Sequence, residues 1–200
     1  MSSRQKRPRP SATVRLFLAI NLEPDVRRAI VDATASLRAA APTLGWIDES
    51  RLHLTLKFLG ECPADVVQPL TESVSRVAQR HRPFEMHLAN VGAFPNFRRA
   101  RVVWMGIERE PRLELLHHDI ELACETLGFE LDGRAFRPHL TLARVKERTG
   151  IEELRRLARE SKGVDFDREA DVVSVDVMKS DMTVTPSRYE RLHAVTLRSS

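Results

Sequence analysis

The sequence predicts an α+β fold of two pseudo-symmetric lobes flanking a central cleft. Two observations carry that expectation. Strand-like and helix-like patterns follow one another in the same order in each half of the 200 residues, and the tetrapeptide His-Leu-Thr-Leu occurs twice, from His53 and from His139. Those histidines stand 86 positions apart, while the dipeptides Glu23-Pro24 and Glu110-Pro111 stand 87 apart. Two landmarks sharing one period mark an internal duplication, and duplicated units pack against each other. The two HLTL strands then become equivalent under an approximate two-fold axis.

In the first half, "VRLFLAINL" from Val14 reads as a buried strand. After Glu23-Pro24, the residues Val26, Ala29, Ile30, Ala33 and Leu37 recur at helical spacing, which predicts one helix to about Ala40. "RLHLTLKFLG" alternates as a strand and is closed by Gly60. Pro63 opens a second helix bearing Val66, Val67, Leu70, Val74 and Val77. "FEMHLANVGAF" reads as a further strand.

The second half repeats the order. "ARVVWMGI" is a strand, and Glu110-Pro111 leads into a helix with Leu113, Leu115, Leu116, Ile120 and Leu122, which Gly128 ends. "RPHLTLARV" is the second motif strand. A helix near "IEELRRLARE" makes the fourth, and "DVVSVDVMKS" and "RYERLHAVTL" read as one strand each. Residues 1–13, "MSSRQKRPRPSAT", are basic and Pro-rich without the apolar segment of a secretory signal; they read as a flexible tail before a single bilobed domain over 14–200.

Composition sets bounds. At 42% hydrophobic and 30% charged, with no apolar run near the roughly 18 residues of a membrane span, the chain reads as soluble, with no membrane partner. Cys62 and Cys124 lie far apart without CxxC or CxxH neighbours, so neither a zinc ribbon nor a disulfide framework is indicated; a reducing, cytoplasmic setting is the default. The net charge of +4 favours a phosphate-bearing partner only weakly.

The chemistry lies in the repeated tetrapeptide. Side chains alternate on a strand, so His53 and Thr55 share one face and Leu54 and Leu56 the other, as do their counterparts His139, Thr141, Leu140 and Leu142. With the leucines in the core, two imidazoles and two hydroxyls converge on one cleft. Imidazole titrates near neutrality, so of two histidines flanking a phosphorus atom one, neutral, takes a proton from attacking water while the other, protonated, gives one to the departing oxygen. The threonines hold non-bridging oxygens. Such a site requires no metal and no cofactor. Packing alone would need the leucines and leave the histidine and threonine free to vary between the copies. The residues leave the division of acid and base between His53 and His139 open.

Paired HxTx motifs with "RLFLAI", "HLTLKFLGE", "VGAFPN", "RVVW", "RPHLTLAR" and "SRYERL" resemble the two-histidine (2H) phosphoesterase superfamily, in its RNA 2′,3′-cyclic phosphodiesterase branch, also called the 2′-5′ RNA ligase family. The resemblance implies lobes that are each an antiparallel sheet with two helices. It implies hydrolysis of 2′,3′-cyclic phosphate ends of RNA, or of small cyclic nucleotides, to 2′-phosphomonoesters; a duplicated, internally paired chain need not dimerise, so a monomer is expected. His53 is then the proton donor and His139 the proton acceptor, Arg144 lies near the phosphate and Phe58 under the base. Two other outcomes stay open: an RNA-end binding module without turnover, and ligation running the same chemistry backward with a 5′-hydroxyl in place of water.

Arg144 and Phe58 stand five positions after their histidines, an odd offset that strict alternation sends to the opposite face. Their place in the cleft needs a strand end or a bulge after Leu56 and Leu142. Otherwise Phe58 packs in the core, and Lys57 is the cation beside the first motif or a solvated strand-end residue. In "PNFRRARVVW", Arg98, Arg99 and Arg101 suit an RNA backbone, with Phe94 or Phe97 near a base, or form a solvated loop. His81, His87, His117, His118 and His193 show no metal spacing and read as surface or internally satisfied residues.

Overall fold

The structure, a computed structural model, describes residues 12–185 and 187–198. The proposed tail lies outside them, apart from Ala12 and Thr13, and Thr13 already begins the first strand. The strands are β1 (Thr13–Asn21), β2 (Gly45–Trp46), β3 (His53–Pro63), β4 (Phe84–Phe94), β5 (Val102–Ile107), β6 (His139–Arg144), β7 (Asp167–Val172), β8 (Ser174–Asp181) and β9 (Arg188–Thr196). The helices are α1 (Pro24–Ala33), α2 (Ala35–Ala40), α3 (Val67–Ala78), α4 (Pro111–Glu125) and α5 (Ile151–Glu160).

Both Glu-Pro landmarks start helices, with proline in the first turn where no amide donor is required. Glu110 also accepts the Arg112 amide at 2.9 Å, and its hydrogen bonds to Arg112 hold its carboxyl down at about 2. The helix expected to run unbroken to Ala40 breaks at Thr34, whose hydroxyl donates to the Ile30 carbonyl at 2.7 Å and competes with the helical ladder. Gly128, at φ +89°, ends α4 as expected. Gly60 does not end its strand: it takes φ +75° and β3 continues to Pro63.

The strands form one antiparallel sheet in the order β7-β4-β5-β6-β3-β1-β8-β9, with β2 added beside β6. The lobes are its two halves, β3-β1-β8-β9 and β6-β5-β4-β7, joined where Leu54 pairs with Leu140. The two-fold relation thus holds, but the sequence units and the lobes are not the same. β4, the last strand of the first repeat, pairs with β5 and β7 in the second lobe, and β8 returns to pair with β1 in the first. Two helices cross likewise, since α4 packs on β3 and Asp25 of α1 bonds Arg168 of β7 at 2.7 Å, whereas α3 stays with the first lobe, on β8 and β9.

The stretch expected as one strand, "DVVSVDVMKS", is two, β7 and β8, separated by Val173 alone. β7 is one edge of the sheet and β8 is next to the other edge. A single residue spans under about 4 Å, so the sheet curls until its ends approach. One continuous core, including Leu16, Leu18, Ile20, Leu54, Leu56, Leu140 and Leu142, underlies both lobes. Cys62 and Cys124 are buried, free thiols within it. No helix among the described residues is long and apolar enough to cross a membrane.

Lys57 corrects its expected place beside the first motif. It is 2% exposed, and its ammonium donates to both Glu121 oxygens, at 2.8 and 2.9 Å, and to the Glu130 carbonyl at 2.9 Å. All three donors are satisfied, tying β3 to α4 and to the loop after it. Removing one member of a buried pair leaves the other charge uncompensated. Lys57→Met is expected to lower the unfolding free energy by about 3–5 kcal/mol, and Lys57→Met combined with Glu121→Leu to recover most of that loss. Denaturant unfolding of the three proteins checks this; equal stability of the wild type and the single variant would defeat it.

Candidate active site

At the centre of the sheet β3 and β6 run antiparallel with Leu54 opposite Leu140. Both leucines point into the core at 1% and 0% exposure. The residues on either side of each therefore turn to the other face together: His53 and Thr55 from β3, His139 and Thr141 from β6. All four are partly exposed and line one cleft of about 1170 Å³. The structure thus brings together the four residues that the repeated tetrapeptide singled out.

Each imidazole is held by the same device. His53 Nδ1 lies 2.7 Å from the carbonyl oxygen of Arg51, and His139 Nδ1 lies 2.8 Å from that of Arg137. A carbonyl only accepts, so Nδ1 carries the proton in both rings and donates. Nε2 is left as the exchangeable position in each. The signal for this was in the sequence, since "RLHLTL" and "RPHLTL" repeat the arginine two places before the histidine; the backbone at that position, not its side chain, fixes the tautomer.

Aromatic rings support the imidazoles from each lobe. Phe17 and Tyr189 pack on His53 with centroids at 5.1 and 5.5 Å, the tyrosine edge-on. Phe94 meets His139 edge-on at 5.0 Å and is backed by Trp104 at 5.2 Å. Trp104 lies so close over β4 that a Cβ on Gly92 would sit 2.2 Å from its ring, which accounts for the glycine in "VGAFPN". Burial pushes the His53 imidazole below the ordinary histidine value, the Arg51 carbonyl resists, and the Arg144 and Arg51 charges add to the lowering.

Of the strand end or bulge that a cleft position for Phe58 and Arg144 needs, the structure has the bulge in both strands. Along β1 and β3, Leu18 pairs with Lys57 but Ala19 with Thr55, which makes Leu56 the extra residue; along β5 and β6, Val103 pairs with Ala143 but Trp104 with Thr141, which makes Leu142 the extra one. Both strands then show the same order of exposure: histidine and threonine partly exposed, three buried side chains among the next four, and the fifth residue after the histidine exposed. Phe58 and Arg144 are those exposed residues and both line the cleft. Core packing of Phe58 is overturned, since it is 62% exposed.

The arginine cluster divides. Arg99, Arg101 and Phe94 line the cleft, whereas Arg98 and Phe97 face a separate shallow pocket with Arg159 and Lys162. Asn96 directs this turn by accepting from the amides of Arg98 and Arg99. His81 is satisfied by Asp119 at 2.9 Å. His117, expected as a surface or internally satisfied residue, lines the cleft, stacked on Phe136 at 3.8 Å with planes 8° apart. Sequence reasoning also missed Phe17 and Tyr189 as ring supports, and Arg134 and Arg137 as cleft residues. Only "SRYERL" offered a hint of Tyr189.

Comparisons with known proteins give the chain its relatives. An RNA 2′,3′-cyclic phosphodiesterase of Geobacillus stearothermophilus is 37% identical over 128 residues, 64% of this chain and 41% of that protein, so the chain spans under half of that relative's length. The crystal structure of TT0787 of Thermus thermophilus has a TM-score of 0.76 at 28% identity, over 92% of this chain and 98% of the other. That of E. coli LigT complexed with 3′-AMP has a TM-score of 0.70 at 26% identity, over 94% of this chain and all of the other, 100%. The sequence model of the 2′-5′ RNA ligase superfamily matches residues 22–183, and with that span, the curled antiparallel sheet and the paired motif strands together, the chain belongs to this superfamily.

Proposed function

We propose that the cleft opens 2′,3′-cyclic phosphate ends of RNA to 2′-phosphomonoesters by acid and base catalysis between His53 and His139. The observation that carries this reading is the matched pair of imidazoles, each with Nδ1 committed to a carbonyl and Nε2 exchangeable, on one face of adjacent strands. The names of the relatives agree with it, and the similar LigT structure is one complexed with 3′-AMP.

Neutral His139 takes a proton from water through Nε2. The resulting hydroxide attacks phosphorus, the bond to O3′ breaks, and His53 gives its Nε2 proton to O3′. Thr55 and Thr141 donate hydroxyl hydrogen bonds to the non-bridging oxygens, Arg144 neutralises their growing charge, and Phe58 stacks the base. The environment of His53 suits the acid. Burial and two guanidinium charges make its imidazolium a stronger proton donor, and the anionic phosphate restores the charged form when it binds. Every proton in the sequence is moved by a side chain, so no step calls for a metal. Ligation would be the same displacement with a ribose 5′-hydroxyl in place of water: its oxygen bonds to phosphorus, the bond to O3′ breaks, and a 2′-5′ linkage results.

His53→Ala and His139→Ala are each expected to lower turnover of a cyclic-phosphate oligonucleotide by about 10²–10⁴-fold with thermal unfolding unchanged, and a chelator to change nothing. Product analysis should find 2′-phosphate. Full hydrolysis by the double variant would end the proposal, and tight binding without product in the wild type would point to a binding module instead.

Activity should trace a bell against pH, because one ring must be neutral and the other charged. For His53 itself, NMR titration of the free protein should give a midpoint below the ordinary 6.5. Arg144→Gln removes a neighbouring positive charge, relieves the penalty on the imidazolium, and should move that midpoint up. A downward movement would contradict the electrostatic account. Phe58→Ala should raise KM for a purine substrate about tenfold, as expected for a lost base stack; an effect confined to protein stability would return Phe58 to a packing role.

A further inference from the structure

The reaction at the histidines accounts for one phosphate, yet the cleft is built for more. Its volume exceeds the roughly 300–1,000 Å³ that holds a single small ligand. Five exposed arginines line it: Arg99, Arg101, Arg134, Arg137 and Arg144. Among the described residues none of the five forms an ion pair. Asp132 is the one acid among the lining residues. A lone cyclic phosphate, with a single negative charge, leaves most of this positive field unused.

The excess is not spread at random. Arg134, Phe136 and Arg137 come from the loop between α4 and β6, which forms one wall of the cleft. That wall is fixed from behind. The Asp132 amide donates to Glu121 Oε2 at 2.9 Å, and Lys57 bonds the Glu130 carbonyl at 2.9 Å. His117 stacks flat on Phe136, and burial pushes its imidazole toward the neutral form. Because Lys57 adjoins Phe58, the same bonds set this wall beside the exposed ring that takes the terminal base. Arg99, Arg101 and Arg144 lie on the other lobe, around the β5–β6 pairing of Val102 with Arg144.

We infer that the wall of Arg134, Phe136 and Arg137, backed by His117, is a second subsite that takes the internucleotide phosphate and nucleoside on the 5′ side of the reacting nucleotide. The inference rests on the proposed chemistry at the histidines and adds substrate length: the enzyme selects oligoribonucleotides over mononucleoside cyclic phosphates. Arg134 supplies a planar fork for a phosphodiester, and its place on a loop pinned by partly buried hydrogen bonds lets it bind without ordering a mobile segment.

The test compares a mononucleoside 2′,3′-cyclic phosphate with a dinucleotide carrying the same cyclic end. Wild type should show kcat/KM at least about tenfold higher on the dinucleotide, with a logarithmic salt slope steeper by about 0.7, the value for one further single-strand phosphate contact. Arg134→Gln should bring the ratio toward one and remove the extra slope, and Arg134→Lys should keep part of both. Arg134 is preferred to Arg137, whose carbonyl holds His139. A wild type without length preference overturns the inference, as does a preference lost in Arg99→Gln/Arg101→Gln and kept in Arg134→Gln. Titration with the two 2′-phosphate products separates this question from catalysis. Tighter binding of the dinucleotide product, lost in Arg134→Gln, supports the subsite even if no turnover is found, and equal binding of both products overturns it.

Discussion

Everything at the site depends on one backbone constraint, the antiparallel pairing of two identical tetrapeptides at Leu54 and Leu140. Because strand side chains alternate, burying that one leucine pair commits two histidines and two threonines to the opposite face. A slip of one residue in either strand would send its histidine into the core and its leucines into the cleft. The hydrophobic core therefore enforces the register on which the chemistry relies, and mutations that weaken the core near Leu54, Leu56, Leu140 or Leu142 act on the site through it.

Symmetry supplies the pair of imidazoles, but a nucleotide is not symmetric. The two halves keep the same carbonyl latch two residues before the histidine and the same bulge after the threonine, and they differ just beyond. At matched positions Phe58 offers an apolar face and Arg144 a charge. Around the rings, Phe17 and Tyr189 answer to Phe94 and Trp104. Divergence in this outer layer is what can orient a substrate, and under the proposed chemistry it would let identical histidines take different roles. The asymmetry already reaches His53, which feels the charge of Arg144 from the neighbouring strand.

The sequence displayed the repeat and the faces of both motif strands, which follow from period and alternation; the need for a strand end or a bulge followed only once the family resemblance set Phe58 and Arg144 in the cleft. It did not display which lobe each outer strand joins. β4 and β8 have the alternation of strands in either lobe, and the exchange is settled by long-range pairing, with Val173 as the only residue between two distant parts of the sheet. His117 and Phe136 were hidden for a similar reason, because their stacking joins a helix to a loop nineteen positions on. Lys57 failed the alternation rule for a local reason that was legible once the bulge was granted: an extra residue at Leu56 turns the next side chain inward.

Lys57 and Phe58 together show how the local rule was broken and what maintains the break. A strand without the bulge would bury Phe58, worth about 1.5–3 kcal/mol in transfer free energy, and leave Lys57 in water. Hydrophobicity alone favours that arrangement. Against it stand the ammonium's three hydrogen bonds and the charge of Glu121, which offset the cost of burying a lysine only because every donor has an acceptor. The same network fixes the loop that carries Arg134 and Phe136. A sequence that places a charge inside and a phenylalanine outside on consecutive positions has exchanged packing free energy for an exposed aromatic platform, and local conflicts of this kind concentrate where a protein binds its ligand.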